Sequence, residues 1–383
     1  MTDWRAEPVR FIGRRKEWSP YVERWHSDDV VYGVYANWMY PLALGTDPLE
    51  DYRKLRTGAM LYDTPERPIS ISGPDAVRLC ERVFTRPIAN VRTGRSVYGL
   101  ACAPDGGILM DGVLIRLAED HFWYVQAEGD IENWLLGVGV DMDVEVTDTK
   151  FRVLQVQGPK SHEFLAAATG APVPEDFTWF AAQYFEIGGQ RALVTNSGYT
   201  GELGIEIYGN AELDHLRLWD HLIEVGAPFN LSLGASDSMA PRRIEAGIKE
   251  NQTDLDRTLT PFAAGLGHFV DFDNPTFIGR DALKQCDRTP LLWGLRCESV
   301  KPALSDPVHF DGLQVGAMTV GEWSPTLDCG IGYVRFEEPI DGGWEGRDVR
   351  LISADGTAHA AKVQQLPFID TKKRLPRGLP EED

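Results

Sequence analysis

Two stretches of the chain repeat one pattern. Residues 68–84 read PISISGPDAVRLCERVF and residues 151–170 read FRVLQVQGPKSHEFLAAATG. Each is a β-rich run, then Gly-Pro and a polar residue, then an amphipathic helical pattern. A strand cannot continue through Gly-Pro, whereas proline suits the first helical turn, where its missing N–H is not needed. Two strand–Gly-Pro–helix units predict a pseudo-duplicated α+β body. Between them, GGILMDGVLIRLAEDHFWYVQA (106–127) reads as a hairpin turning at Ala118-Glu119-Asp120. Helical patterns follow at 130–136, 212–225 and 235–250.

The texture changes after about residue 285. LLWGLRCES, LQVGAMTV, GIGYVRF, DVRLISADG and HAAKVQQLPF are short strand-like runs separated by Gly, Pro and Asp. They predict a small all-β terminal domain. The expected division is therefore an α+β body over 1–284, holding two interleaved subdomains, and an all-β domain over 285–383.

A chain of 383 residues exceeds what one compact core usually spans. Its net charge of −20 disfavours nonspecific binding to nucleic acid or anionic lipid, which need a basic surface. The first residues mix both charges and lack an apolar h-region, so no secretory signal is expected. No apolar run suits a bilayer span. Five scattered cysteines form neither a zinc pair nor a disulfide framework, and the histidines lack ligand spacing, so no metal is expected. These features predict a reduced, cytoplasmic enzyme.

Residues 196–209, NSGYTGELGIEIYG, raise the sharpest question. Leu203, Ile205 and Ile207 share one strand face, and Glu202, Gly204, Glu206 and Tyr208 the other. Glu206 reads either as a solvated strand acid or as a carboxylate accepting parallel N–H bonds from a flat heterocycle. Tyr199, Gly201 and Gly204 suit close approach on that face. In LGASDSMAPRRIEAGIKE (233–250), a helix would align Ser236, Ala240, Arg243 and Gly247. That stripe serves either close ligand approach or plain helix packing with Arg243 paired to an acid. YGVYANWMYPL (32–42) holds Tyr32, Tyr35, Trp38 and Tyr40, which read as core or interface aromatics or as a ring wall for a cationic or flat ligand. Trp179 and Tyr184 raise the same two readings.

Taken in order, these motifs resemble a known family. GYTGELGIEIY is similar to the G-Y-T-G-E-x-G-x-E stretch of the glycine-cleavage T-protein, the tetrahydrofolate-dependent aminomethyltransferase. NWMYPL, RTGAMLYD, VQGPK, LGASD with RRIEAG, FIGRDAL and WSPTL resemble further family segments. GRRKEWSPYVERW, EDYRKLRTG, HFWYVQAEGDIENW, GLGHFVDFDNPTFIGRDAL and QLPFI are more similar to the dimethylsulfoniopropionate demethylase branch. Similarity to aryl-methyl-ether demethylases of the vanillate type is thinner.

The resemblance implies a folate-binding body of three parts around a channel, the third part barrel-like. It implies tetrahydrofolate as cofactor and a small-molecule methyl donor. It also implies Glu206 as the holder of the pterin N–H edge, Arg243 near the same site, and Tyr98 lining it. Val125, Gln126 and Ala127 border the pocket, and Tyr199 belongs to the motif.

Aminomethyltransferases carry G-G-I-x-D-D, with the first aspartate catalytic. Here Met110 stands at that place and Asp111 matches the second aspartate. The loss of the acid is expected to disfavour glycine cleavage and its lipoyl carrier partner, and to favour demethylation of a sulfonium. Alternatives are an aryl O-demethylase, an aminomethyltransferase, or a folate-binding regulator without catalysis. Trp38, Trp179 and Tyr35 are the expected positioning rings, with no catalytic residue assigned.

Overall fold

The computed structural model describes residues 15–126, 128–210 and 212–381. Both Gly-Pro stretches run from a strand into a helix. The first runs from strand Arg67–Ser72 into helix Ala76–Val83, and the second from strand Arg152–Gln157 into helix Ser161–Thr169. Gly73 and Gly158 take nearly the same left-handed backbone, φ +126° and +123°. A Cβ at either place would strike a backbone carbonyl, Asp143 O at 2.8 Å or Gly58 O at 2.5 Å. Glycine is therefore required in both turns.

Each unit builds an antiparallel meander beside its Gly-Pro strand. The first sheet has the order Arg95–Cys102, Ile108–Ala118, His121–Gln126, Arg67–Ser72, Glu145–Asp148. The second has the order Ala182–Ile187, Gln190–Thr195, Gly204–Gly209, Arg152–Gln157, Met60–Thr64, Ser232–Leu233. The fifth place differs in origin. Glu145–Asp148 comes from its own unit, whereas Met60–Thr64 precedes the first unit in the chain. The chain thus crosses between the sheets at residues 65–66, which interleaves the two subdomains.

Strand alternation gives each sheet two apolar faces. Leu154, Val156, Ile205 and Ile207 pack under helices Ser161–Thr169 and His215–Gly226 through Phe164, Leu165, Leu218 and Leu222. Ile69, Ile71, Leu114 and Phe122 pack under Leu79, Val83 and Leu135. The opposite faces meet each other, with Ile115, Trp123 and Val125 against Val153, Leu193 and Tyr208. Full burial of such side chains contributes about 1.5–3 kcal/mol each.

The C-terminal domain is a closed six-stranded barrel running from Leu292 to Gln364. Five of its strands match the sequence expectation. The sixth, Pro307–Phe310, has only four residues and opens on proline, too short to show alternation.

The helix expected over 235–250 is shorter, Ser236–Glu245. Gly247, at φ +69°, ends it: its N–H bonds Ile244 O, and the Ile248 N–H bonds Arg243 O. This left-handed glycine termination satisfies the last carbonyls. Gly247 consequently leaves the stripe of Ser236, Ala240 and Arg243. Among the described residues, no helix is long and apolar enough to cross a membrane, and no His, Cys, Asp and Glu cluster suits a metal.

Candidate active site

A cavity of about 810 Å³ lies where both sheets, the loop after helix Ser236–Glu245 and the segment after the barrel converge. That volume suits a cofactor-sized ligand. Its wall is mainly apolar, with Glu66, Asp111, Glu202 and Glu206 as acids and Arg86, Arg95, Lys249, His268 and Lys373 as basic residues.

Glu206 lies on strand Gly204–Gly209 and is 7% exposed, so it is not a solvated strand acid. Thr195 Oγ1, Ser197 Oγ and Tyr208 OH donate to its Oε2 at 2.9, 2.7 and 3.0 Å. Gln155 Nε2 donates to Oε1 at 3.2 Å. Oε1 thus keeps acceptor capacity toward the cavity that Glu206 lines. The neighbouring Gly198, Gly201 and Gly204 line the cavity, and two of them also admit Gln157. A Cβ at Gly198 or Gly204 would fall 2.0 or 2.3 Å from Gln157 Nε2. The space beside Glu206 therefore belongs to Gln157. Glu202 is no simple turn residue either: it is buried and pairs with Arg56 and, at 2.6 Å, with Arg242.

A second carboxyl sits beside Glu206. Gln155 Nε2 donates to Glu66 Oε1 at 2.6 Å as well as to Glu206, so one amide bridges both acids. Burial, and then the charge of Glu206, push the Glu66 carboxyl up to about 8. Hydrogen-bond arithmetic agrees. The single Thr64 hydroxyl proton faces both Val153 O, at 3.2 Å, and Glu66 Oε2. A proton on Glu66 Oε2 satisfies both contacts, because Glu66 donates to Thr64 and Thr64 to Val153. Glu66 is the member of the pair pushed toward the neutral form.

The acid run on strand Ile108–Ala118 divides between two faces. Met110 is buried in the apolar core with Ile69, Ile71 and Leu114, and its sulfur lies 3.6 Å from Asn251 Nδ2. Asp111, one residue on, lines the cavity. Met110 therefore faces the core and Asp111 the cavity, since successive strand residues point to opposite faces. Tyr98 OH donates to Asp111 Oδ2 at 2.7 Å. Oδ1 is buried without a protein partner. Burial raises the Asp111 carboxyl to about 6, opposed by the Tyr98 hydrogen bond.

The other expected residues divide similarly. Tyr35, Tyr98, Val125, Gln126, Trp179 and Tyr199 line the cavity with Glu206. Ala127 lies outside the described residues. Burial holds the Tyr35, Tyr98 and Tyr199 phenols well above their ordinary value, so they stay neutral donors. Trp38 is not in the wall; the Arg152 guanidinium covers its ring at 4.5 Å. Trp179 carries Arg377 at 4.8 Å, and half-exposed Tyr184 carries Arg191 at 3.9 Å.

Arg243 also stands behind the wall. It pairs with Glu250 and Asp254 at 3.0 Å each and donates to Ile248 O at 3.1 Å. It thereby fixes the loop that carries Lys249 into the cavity. The barrel fixes the same loop, with Tyr333 OH on Ile248 O at 3.0 Å and Thr319 Oγ1 on Asp254 Oδ1 at 2.6 Å.

Sequence reasoning missed Glu66, Lys249, Lys373 and Phe180. The lysines are lowered to about 8, chiefly by burial. Phe180 sits in the wall at φ +63°, a strained backbone for a bulky residue. Bonds from Ser96 N to Phe180 O and from Phe180 N to Asn196 O, 2.8 Å each, hold it there.

Comparison with known proteins accounts for this arrangement. Residues 22–274 match the GCVT N-terminal domain, and residues 292–370 match the glycine cleavage T-protein C-terminal barrel domain. The chain belongs to the glycine cleavage T-protein family. An aminomethyltransferase of Streptomyces avermitilis is 32% identical over 359 residues, covering 88% of this chain and 94% of that protein. A trimethylamine-oxide aldolase of Ruegeria pomeroyi is 30% identical over 362 residues, 89% of this chain and 45% of that longer protein. The crystal structure of glycine cleavage system aminomethyltransferase T from Bartonella henselae superposes with a TM-score of 0.81. It is 26% identical, covering 92% of this chain and 98% of that one.

Family members are tetrahydrofolate-dependent enzymes that transfer one-carbon groups, and this chain is one of them. The cavity fits that cofactor. It offers a carboxylate with a free acceptor site, an acid whose Oδ1 is buried and unpartnered, and lysines and arginines suited to a glutamate tail.

Proposed function

We propose that this enzyme moves a methyl group from a small onium donor to N5 of tetrahydrofolate, giving 5-methyltetrahydrofolate. A sulfonium of the dimethylsulfoniopropionate type is the best candidate. The observation that carries this reading is Asp111 Oδ1, buried, unpartnered and set among neutral phenols. Tetrahydrofolate supplies the nucleophilic nitrogen that accepts the carbon. Glu206, and Glu66 beside it, hold the pterin edge. The donor departs as a neutral thioether, and the accepting nitrogen releases one proton. Asp111 Oδ1 takes that proton, a task suited to a carboxyl raised to about 6. A sulfonium is already a good leaving group, so the remaining task of the wall is alignment. No carrier protein takes part. The free cysteines accord with a reducing cytoplasm.

A second reading is aminomethyl transfer from a lipoyl carrier. The orientation of Asp111 favours it, since an acid facing the cavity can stabilise an iminium-like centre. Relatives named aminomethyltransferase span nearly the whole chain.

A donor screen with tetrahydrofolate separates the readings. Formation of 5-methyltetrahydrofolate from dimethylsulfoniopropionate or another methyl-onium donor is expected. Product from vanillate alone would move the assignment to aryl ethers. Product only with an aminomethyl-lipoyl carrier would restore the second reading, and folate binding without turnover of any donor would make the chain a folate sensor.

A further inference from the structure

A smaller space of about 90 Å³ adjoins the main cavity and shares Tyr35, Glu66 and Tyr199 with it. Tyr40, Met239 and Glu250 help to close it. Water needs roughly 10–15 Å³ of such space, so this one takes a group of a few heavy atoms and excludes a fused heterocycle.

Its walls have a definite chemistry. The Tyr35 and Tyr40 rings stand edge to face, with centroids 6.1 Å apart. Among the described residues, no arginine or lysine lies over either ring. That sets them apart from Trp38 and Trp179, whose faces Arg152 and Arg377 already occupy. The Glu250 charge reaches both rings and adds to the burial that raises their phenols, opposed at Tyr40 by the Arg243 charge. Arg243 pairs with one Glu250 oxygen at 3.0 Å. Glu66 also lines the space and brings no positive charge in either protonation state. A small space with rings, a thioether and a carboxylate selects a compact, weakly hydrated cation.

We infer that this side space is the cage for the onium head of the methyl donor, with Tyr35 and Tyr40 as its ring walls and Glu250 as its counter-charge. The inference rests on the proposed methyl transfer. It replaces the two tryptophans with Tyr40 as the ring that, with Tyr35, selects the donor. A head seated there is separated from the folate cavity only by the residues the two spaces share.

The test measures binding first and turnover second. The whole protein is titrated with trimethylsulfonium and tetramethylammonium by calorimetry, and with tert-butanol as a neutral probe of similar shape. Both cations should bind saturably and tert-butanol should not. Tyr40→Leu should weaken cation binding about tenfold, in line with loss of a desolvated ring contact. Tyr40→Phe should stay within twofold of wild type, and tetrahydrofolate affinity should hold in both variants.

Equal cation affinity in Tyr40→Leu, or equal binding of tert-butanol, overturns the cage. Proton NMR of bound trimethylsulfonium needs no variant: ring-shifted methyl signals support the cage and unshifted signals overturn it. If the cations bind as described but no donor yields 5-methyltetrahydrofolate, methyl transfer falls and the cage stands. If a donor is turned over with an unchanged KM in Tyr40→Leu, the cage falls and methyl transfer stands.

Discussion

The two strand–Gly-Pro–helix units share a turn, a strand order and a helix position, yet their sheets differ in polarity. Around Arg67–Ser72 the buried residues are Ile69, Ile71, Leu114, Phe122 and Tyr124, and Asp111 is the buried acid of its strand. Around Arg152–Gln157 the buried set includes Arg152, Gln155, Gln157, Thr195 and Glu206. The second sheet holds a polar layer that only a complete hydrogen-bond network makes tolerable. The first holds a single acid whose Oδ1 is buried and unpartnered. The two scaffolds are similar in topology. On the proposed function, one holds the heterocycle and the other carries the proton chemistry.

The largest expected effect tests the polar side. Glu202→Ala leaves Arg242 buried without its closest carboxylate and should cost about 3–5 kcal/mol of stability. A thermal melt within a degree of wild type would show that the ion cluster bears nothing. Glu206→Gln keeps an acceptor and the shape but loses the charge. It should melt near wild type while tetrahydrofolate binds about a hundredfold more weakly. If both variants lose stability and folate alike, the division between structural and ligand-holding acids is wrong.

The apolar side is tested next. Asp111→Asn should lower kcat about a hundredfold with folate affinity kept, the usual scale for a lost general base. The wild-type kcat/KM should rise with pH through about 6, since the Asp111 carboxyl is raised to that value and serves as base once its proton leaves. Tyr98→Phe removes a hydrogen bond that favours the carboxylate, so that midpoint should move upward. A pH profile flat from 5 to 7 would remove Asp111 from the proton path.

The smallest effect belongs to Glu66→Gln. A neutral acid replaced by a neutral amide should leave folate affinity within about twofold at pH 7. Above pH 8 the wild type should weaken as Glu66 ionises beside Glu206, and the variant should not. A large loss at pH 7 would mean that the Glu66 charge, or its proton, is needed.

Much of this was legible in the sequence because it rests on local rules. Gly-Pro punctuation located both units, alternation placed Glu206 opposite the Ile205 face, and turn residues separated five barrel strands. Alternation also held the answer for Met110 and Asp111, which must face opposite ways in one strand. Comparing motif letters hid that. Other features had no local signal. Glu202 meets Arg56, 146 positions away, and Glu66 meets Gln155, 89 positions away. The faces of Trp38 and Trp179 were taken by Arg152 and Arg377, pairings that only the folded chain creates. Lys249 lies beyond a helix that stops five residues earlier than its apolar pattern suggested.

The loop bearing Lys249 and Glu250 hangs between Arg243 on one side and Thr319 and Tyr333 of the barrel on the other. On the proposed cage, donor preference becomes a property that evolution and engineering must move as a matched pair of segments. Transplanting residues 247–255 from a relative without its barrel would import the letters of a new specificity but not its shape. The reciprocal swap, a foreign barrel under the native loop, should retune substrate choice although, among the described residues, no barrel strand residue lines the side space.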